Sequence, residues 1–132
     1  MDKLKLSIVL PVAPKKIYNA WLNSKEHTAF TGGKATASAK VKGKFTVWDG
    51  YISGVNIDLK EGKKIVQTWR TSEFPDDALD SILEVSLIPK AGGKTTLTLT
   101  QTNIPKGQGV KYKGGWKEHY FEPMKEYFSK KK

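Results

Sequence analysis

The sequence predicts an α+β fold in which one curled antiparallel sheet of about six strands wraps around a long C-terminal helix, with two short helices after the first strand. Three observations point there. Segments with a period of two follow one another between glycine- and proline-marked turns, without the strand and helix alternation of a parallel sheet. The chain closes on an aromatic stripe at helical spacing, which needs a large apolar partner. No internal repeat divides residues 1–132, which read as a single domain.

The elements follow in order. Leu4, Leu6, Ile8 and Leu10 alternate with Lys3, Lys5, Ser7 and Val9 as a strand with one buried face, ended by Pro11 and Pro14. Pro14 suits a first helical turn, after which Ile17, Ala20 and Trp21 recur at helical spacing. Ser24 is the expected cap of a second short helix that carries His27 and stops near Phe30, before Gly32-Gly33. Phe45 and Val47 open a hairpin, with Asp49-Gly50 as a type I′ turn, and Tyr51, Ser53, Val55, Ile57 and Leu59 share one face of the returning strand. Glu61-Gly62 turns the chain into Ile65, Gln67 and Trp69, and an acidic loop leads to a strand from Ile82 to Ile88. After Gly92-Gly93, Leu97, Leu99 and Gln101 face one way and a row of threonines faces the other. A glycine-rich linker precedes the last helix, where Trp116, Tyr120, Met124 and Phe128 stand four residues apart. Pro123 falls inside this stripe, removes the bond to the His119 carbonyl and predicts a kink.

Charge is the unusual feature of the composition. Lysine and arginine number 23 against 13 acidic residues, a net +10, and Arg70 is the one arginine. A basic excess suits phosphate, but base-edge and bidentate phosphate recognition lean on arginine, so nucleic acid is disfavoured as a partner. Residues 103–132 carry eight lysines and three glutamates, ending Lys130-Lys131-Lys132; this is either a steering surface for an acidic partner or a solvated end. Pro11 stops Ile8-Val9-Leu10 well short of a signal or membrane span, which makes the cytoplasm the expected compartment.

With no cysteine, the chain has no disulfide framework, thiol nucleophile, zinc knuckle or iron–sulfur site. His27 and His119 have no ligand-spaced neighbour on their helices, and Glu73, Asp76, Asp77 and Asp80 lack the order of a calcium loop. No nucleophile elbow or phosphate-binding glycine loop is present, so no catalytic residue, metal or cofactor is expected.

Four strings stand in order along the chain: Gly43-Lys44-Phe45 running to Trp48-Asp49-Gly50-Tyr51-Ile52-Ser53-Gly54; Lys64 to Arg70 (KIVQTWR); Leu99 to Pro105 (LTQTNIP); and Gly115 to Phe121 (GWKEHYF). Together they resemble the activator of heat-shock protein 90 ATPase homologue family, most closely its C-terminal domain. This family is a branch of the START-like, or SRPBCC, helix-grip superfamily. Lys42 stands where the family usually has the first glycine of a pair, and Pro123 interrupts the usual terminal helix. The resemblance implies a helix-grip fold and a chaperone partner. It also places most of the ATPase stimulation of the eukaryotic co-chaperone in a separate N-terminal domain, for which 132 residues leave no room.

The inward face joins apolar side chains to a few polar ones, which describes either a small-molecule pocket or a filled core whose polar groups bond internally. The candidate cavity residues are Trp21, Phe45, Val47, Tyr51, Ser53, Val55, Gln67, Trp69, Leu83, Leu99, Gln101, Trp116, Tyr120 and Met124. Arg70, Lys111, Lys113 and Lys117 are the candidates for a partner surface. The first expectation is a non-enzymatic binding protein that holds an apolar small molecule between sheet and helix. The alternative is a co-chaperone-like module that docks on heat-shock protein 90 through its lysines.

Overall fold

The computed structural model describes residues 1–131, and the Lys131 side chain and Lys132 of the terminal basic run lie outside the described residues. Strand β1 (Asp2–Leu10) is followed by helices α1 (Pro14–Trp21) and α2 (Ser24–Thr31). Strands β2 (Lys44–Val47), β3 (Ile52–Lys60), β4 (Lys64–Thr71), β5 (Ser81–Lys90) and β6 (Lys94–Ile104) come next. A helical segment closes the chain, built of α3 (Gly109–Trp116), a π turn (Lys117–Phe121) and α4 (Glu122–Lys131). The six strands form one antiparallel sheet in the order β1-β6-β5-β4-β3-β2. The terminal helical segment and α1–α2 pack on its inner face, the helix-grip arrangement. No helix among the described residues is long and apolar enough to cross a membrane.

Alternation decides most of the burial. In β4, Ile65, Gln67, Trp69 and Thr71 point inward, and in β6 Thr95, Leu97, Leu99 and Gln101 do the same. The threonines between them stay half-exposed on the outer face.

Four local expectations are corrected. The cap of α2 is Asn23, whose side chain accepts from the Glu26 N–H, while Ser24 reaches across to the backbone of Ala37. The β2–β3 turn pairs Val47 with Ile52, so the loop holds four residues instead of the two of a type I′ turn, and Trp48, Asp49 and Gly50 are all left-handed. That loop shifts the parity of β3. Ile52 and Asn56 face inward, Ser53 and Ile57 face solvent, Val55 is only half-buried, and a bulge between Asn56 and Asp58 lets Leu59 pack against the core. Pro123 is absorbed by the π turn ahead of it: with no N–H at residue 123, the helix widens and the Glu122 N–H bonds to the Lys117 carbonyl. Lys42, at the family's glycine position, adopts φ +70°, a conformation that favours glycine.

Gly54 marks the tightest approach within the sheet. A Cβ built there lies 2.0 Å from the Thr68 carbonyl oxygen and 2.6 Å from the Phe45 ring. The backbone cannot give way without breaking β3–β4 pairing, so Gly54→Ala is expected to lose about 3 kcal/mol of stability, read as a lower urea midpoint.

Candidate functional site

Aromatic side chains from three parts of the fold converge beneath the terminal helix. Trp21 of α1 lies 6.4 Å from Trp69 of β4, 6.4 Å from Trp116 of α3 and 5.2 Å from Tyr120 of the π turn, ring centre to ring centre. Trp69 and Trp116 approach to 5.0 Å, and Phe45 stacks behind Trp69 at 5.3 Å. Such rings bring large apolar area and a preference for tilted and edge contacts, which fixes their mutual geometry.

The inward glutamines hold the tryptophans in place. The Trp21 indole N–H donates to Gln67 Oε1 at 3.2 Å, and Gln67 Nε2 donates to Asn56 Oδ1 at 2.8 Å. Asn56 Nδ2 in turn donates to the Ser38 and Lys40 carbonyls. The Trp116 indole N–H donates to Gln101 Oε1 at 2.9 Å, Gln101 Nε2 donates to Ser81 Oγ at 2.9 Å, and Ser81 Oγ donates to the Trp69 carbonyl. Both glutamines therefore act as internal braces, since a buried amide is tolerated only when its hydrogen bonds are made.

His27 occupies the centre of the helical layer, buried and 93 residues in sequence from its partner Tyr120. Its Nδ1 lies 2.8 Å from the Trp21 carbonyl, which can only accept, so Nδ1 carries the proton and Nε2 accepts from the Tyr120 hydroxyl at 2.7 Å. Burial pushes the His27 pKa down to about 4, opposed by the bond to the Trp21 carbonyl, and raises the Tyr120 phenol well above its ordinary range. The imidazole is thus a neutral connector of α1, α2 and the π turn, with both nitrogens engaged.

Between the β2–β3 loop, the ends of β3 and β4, and α3 with its π turn lies a groove of about 630 Å³. Trp48, Tyr51, Ile52, Trp69, Trp116 and Tyr120 supply its apolar walls, and Val110 stands 87% exposed at its edge. Trp48 is held over Gly33 and meets the rings of His119 at 5.9 Å and Tyr120 at 5.7 Å. The rim is polar. Tyr51 donates to Glu73, which also pairs with Lys111, and these two partners hold the Glu73 carboxyl below its ordinary range. Burial, with Glu73 close by, pushes the Tyr51 phenol up to about 12. Neither the Tyr51 nor the Tyr120 phenol is a base or nucleophile at neutral pH.

Of the cavity residues expected from the sequence, Tyr51, Trp69, Gln101, Trp116 and Tyr120 line the groove. Trp21, Phe45, Val47, Gln67, Leu83, Leu99 and Met124 are buried behind it as packed core. Ser53 and Val55 lie away from the groove, for the parity reason given above. Arg70 binds the carbonyls of Pro75 and Ala78 and pairs with Asp80, organising the acidic loop. Lys111 stands on the groove rim, and Lys113 and Lys117 are exposed along α3 and the π turn. Among the described residues, no group of acidic and histidine side chains is arranged to hold a metal.

Sequence reasoning missed Trp48, Ile52, Thr71, Tyr112, Glu118 and His119 as lining residues. One signal was present: Tyr112 extends the Trp116–Tyr120 spacing one turn towards the N-terminus, into the segment read as a linker.

A family model described as Activator of Hsp90 ATPase homolog 1-like protein matches residues 11–129. Two curated relatives, the activators of 90 kDa heat shock protein ATPase homolog from Dictyostelium discoideum and homolog 1 from Homo sapiens, are each 32% identical over 126 residues. Both alignments cover 96% of this chain, but 33% and 37% of those proteins, so the chain spans about a third of their length. The crystal structure of an HSP90 activator from Plasmodium falciparum superposes with a TM-score of 0.82 at 26% identity, covering 91% of each chain.

The buried imidazole makes stability depend on pH. Unfolded His27 takes up its proton near pH 6.5 and the folded residue only near pH 4, so its contribution is whole above about pH 6.5 and is lost as pH falls towards 4. Chemical denaturation across that window is expected to show a loss of about 3 kcal/mol that is missing from His27→Gln.

Proposed function

The chain belongs to the Activator of Hsp90 ATPase homolog 1-like protein family, and from that premise we propose that it is a non-enzymatic binding module that holds an apolar small molecule in the aromatic groove. The observation that carries this reading is the groove itself: about 630 Å³, walled by tryptophan and tyrosine rings, lies within the range of small-molecule sites. The high phenol pKa of Tyr51 and the engaged nitrogens of His27 leave these groups without acid–base work, which supports binding over catalysis. The neutral fluorescent probe N-phenyl-1-naphthylamine is expected to bind saturably. A Cβ at Gly115 meets no atom within 4 Å, so Gly115→Leu adds bulk beside the groove without displacing the core. It is expected to weaken the probe at least tenfold with no fall in Tm; absence of saturable binding to the parent chain overturns the reading.

A second reading rests on the relatives, which are named as activators of the 90 kDa heat shock protein ATPase. In it, Lys113 and Lys117 meet an acidic face of that chaperone in the cytoplasm, an encounter strengthened by the net +10 charge. Association measured with purified chaperone is expected to weaken about tenfold between low salt and roughly 0.5 M salt, and similarly in Lys113→Glu with Lys117→Glu. No association at low salt rejects it.

A further inference from the structure

Two of the four tryptophans have their indole N–H groups committed to glutamines, and Trp48 sits half-buried at the rim. Trp69 is different. Only 3% of it is exposed, and its indole N–H donates to no described group. Yet no described side-chain nitrogen or oxygen shut off from solvent lacks a partner. The Trp69 N–H therefore has an outlet, and the groove is the cavity that this residue lines. The groove is open to water, so solvent can serve this donor while the groove is empty; a ligand that displaces that water must bring an acceptor of its own or leave the N–H unpaired at a desolvation cost.

The neighbouring hydroxyls do not meet that need. Tyr51 donates to Glu73; Tyr112 donates to Gln108 Oε1 at 2.6 Å, which leaves the Thr71 hydroxyl to donate to Tyr112 at 2.7 Å. The Lys111 charge is already opposed by Glu73, and Glu118 adds a further carboxylate to the lining. A carboxylate ligand would meet the Glu118 carboxylate, whereas a neutral oxygen meets no such opposition. The ring surfaces of Trp48, Trp116 and Tyr120 favour a flat aromatic body.

We propose that the groove takes a neutral, flat aromatic ligand that sets a carbonyl-type oxygen on the Trp69 indole N–H. The proposal deepens the small-molecule reading and rests on it. Two probes of nearly equal shape separate the two: 2-acetylnaphthalene carries the oxygen, and 2-ethylnaphthalene does not. In the ¹⁵N–¹H spectrum of the full chain, the indole resonance assigned to Trp69 is expected to move downfield with the acetyl compound and not with the ethyl compound. Trp69→Phe keeps a ring but loses the donor, and should lower the acetyl-to-ethyl affinity ratio about fivefold. Binding of both compounds with an unchanged ratio in the variant and a Trp69 resonance that responds to neither carbonyl nor ethyl overturns the proposal and leaves the groove as an apolar site. Failure of both compounds to bind a parent chain that binds N-phenyl-1-naphthylamine overturns the proposal alone, and failure of all three overturns the small-molecule reading with it. Should Trp69→Phe fail to fold, the downfield shift in the parent chain decides alone.

Discussion

The hydrogen-bonded His27 imidazole is the constraint on which the helical layer depends. Its two nitrogens join the carbonyl that ends α1 to a hydroxyl on the π turn, so one ring fixes the relation of three helical segments that the chain visits far apart. The flanking Trp21, Phe30 and Tyr120 rings stand 5.3, 4.7 and 5.6 Å from it. An apolar residue of the same size would pack there but would orphan the Tyr120 hydroxyl and the Trp21 carbonyl, each a buried polar group. With Tyr120 held from behind, its ring presents a fixed wall to the groove.

The sheet works in the same way through amides. Gln67 and Gln101 stand at equivalent inward positions of β4 and β6, and each turns one tryptophan by its N–H. These bonds brace the aromatic cluster from the sheet, and Gln101 also lines the groove beside Trp69. Packing and hydrogen bonding thus act together to fix the positions of the rings beneath the terminal helix.

Strands with strict alternation were legible from residue type alone. β1, β4 and β6 bury the leucines, isoleucines and glutamines whose parity the sequence displays. β3 was not, because its face is set by a loop whose left-handed Trp48 has no sequence signature; bulky residues seldom adopt φ +51°. The partner that permits it, Gly33, lies 15 positions earlier and is visible only in three dimensions. The same limit applies to the candidate site. Trp69, Trp116 and Tyr120 follow from periodicity, whereas Trp48 and Ile52 depend on loop geometry, and the role of Gln101 as a brace depends on where its two amide atoms end.

The terminal helix is locally irregular where it borders the groove. Gly114 and Gly115 sit in the last turn of α3, where a side chain would meet nothing within 4 Å. Their absence of bulk is therefore not required by close packing, and each costs about 1 kcal/mol of helix propensity relative to alanine. The π turn that follows weakens the regular ladder again, and Pro123 ensures that it cannot revert to an unbroken α-helix. Two successive departures from a stable helix thus stand over the same aromatic floor.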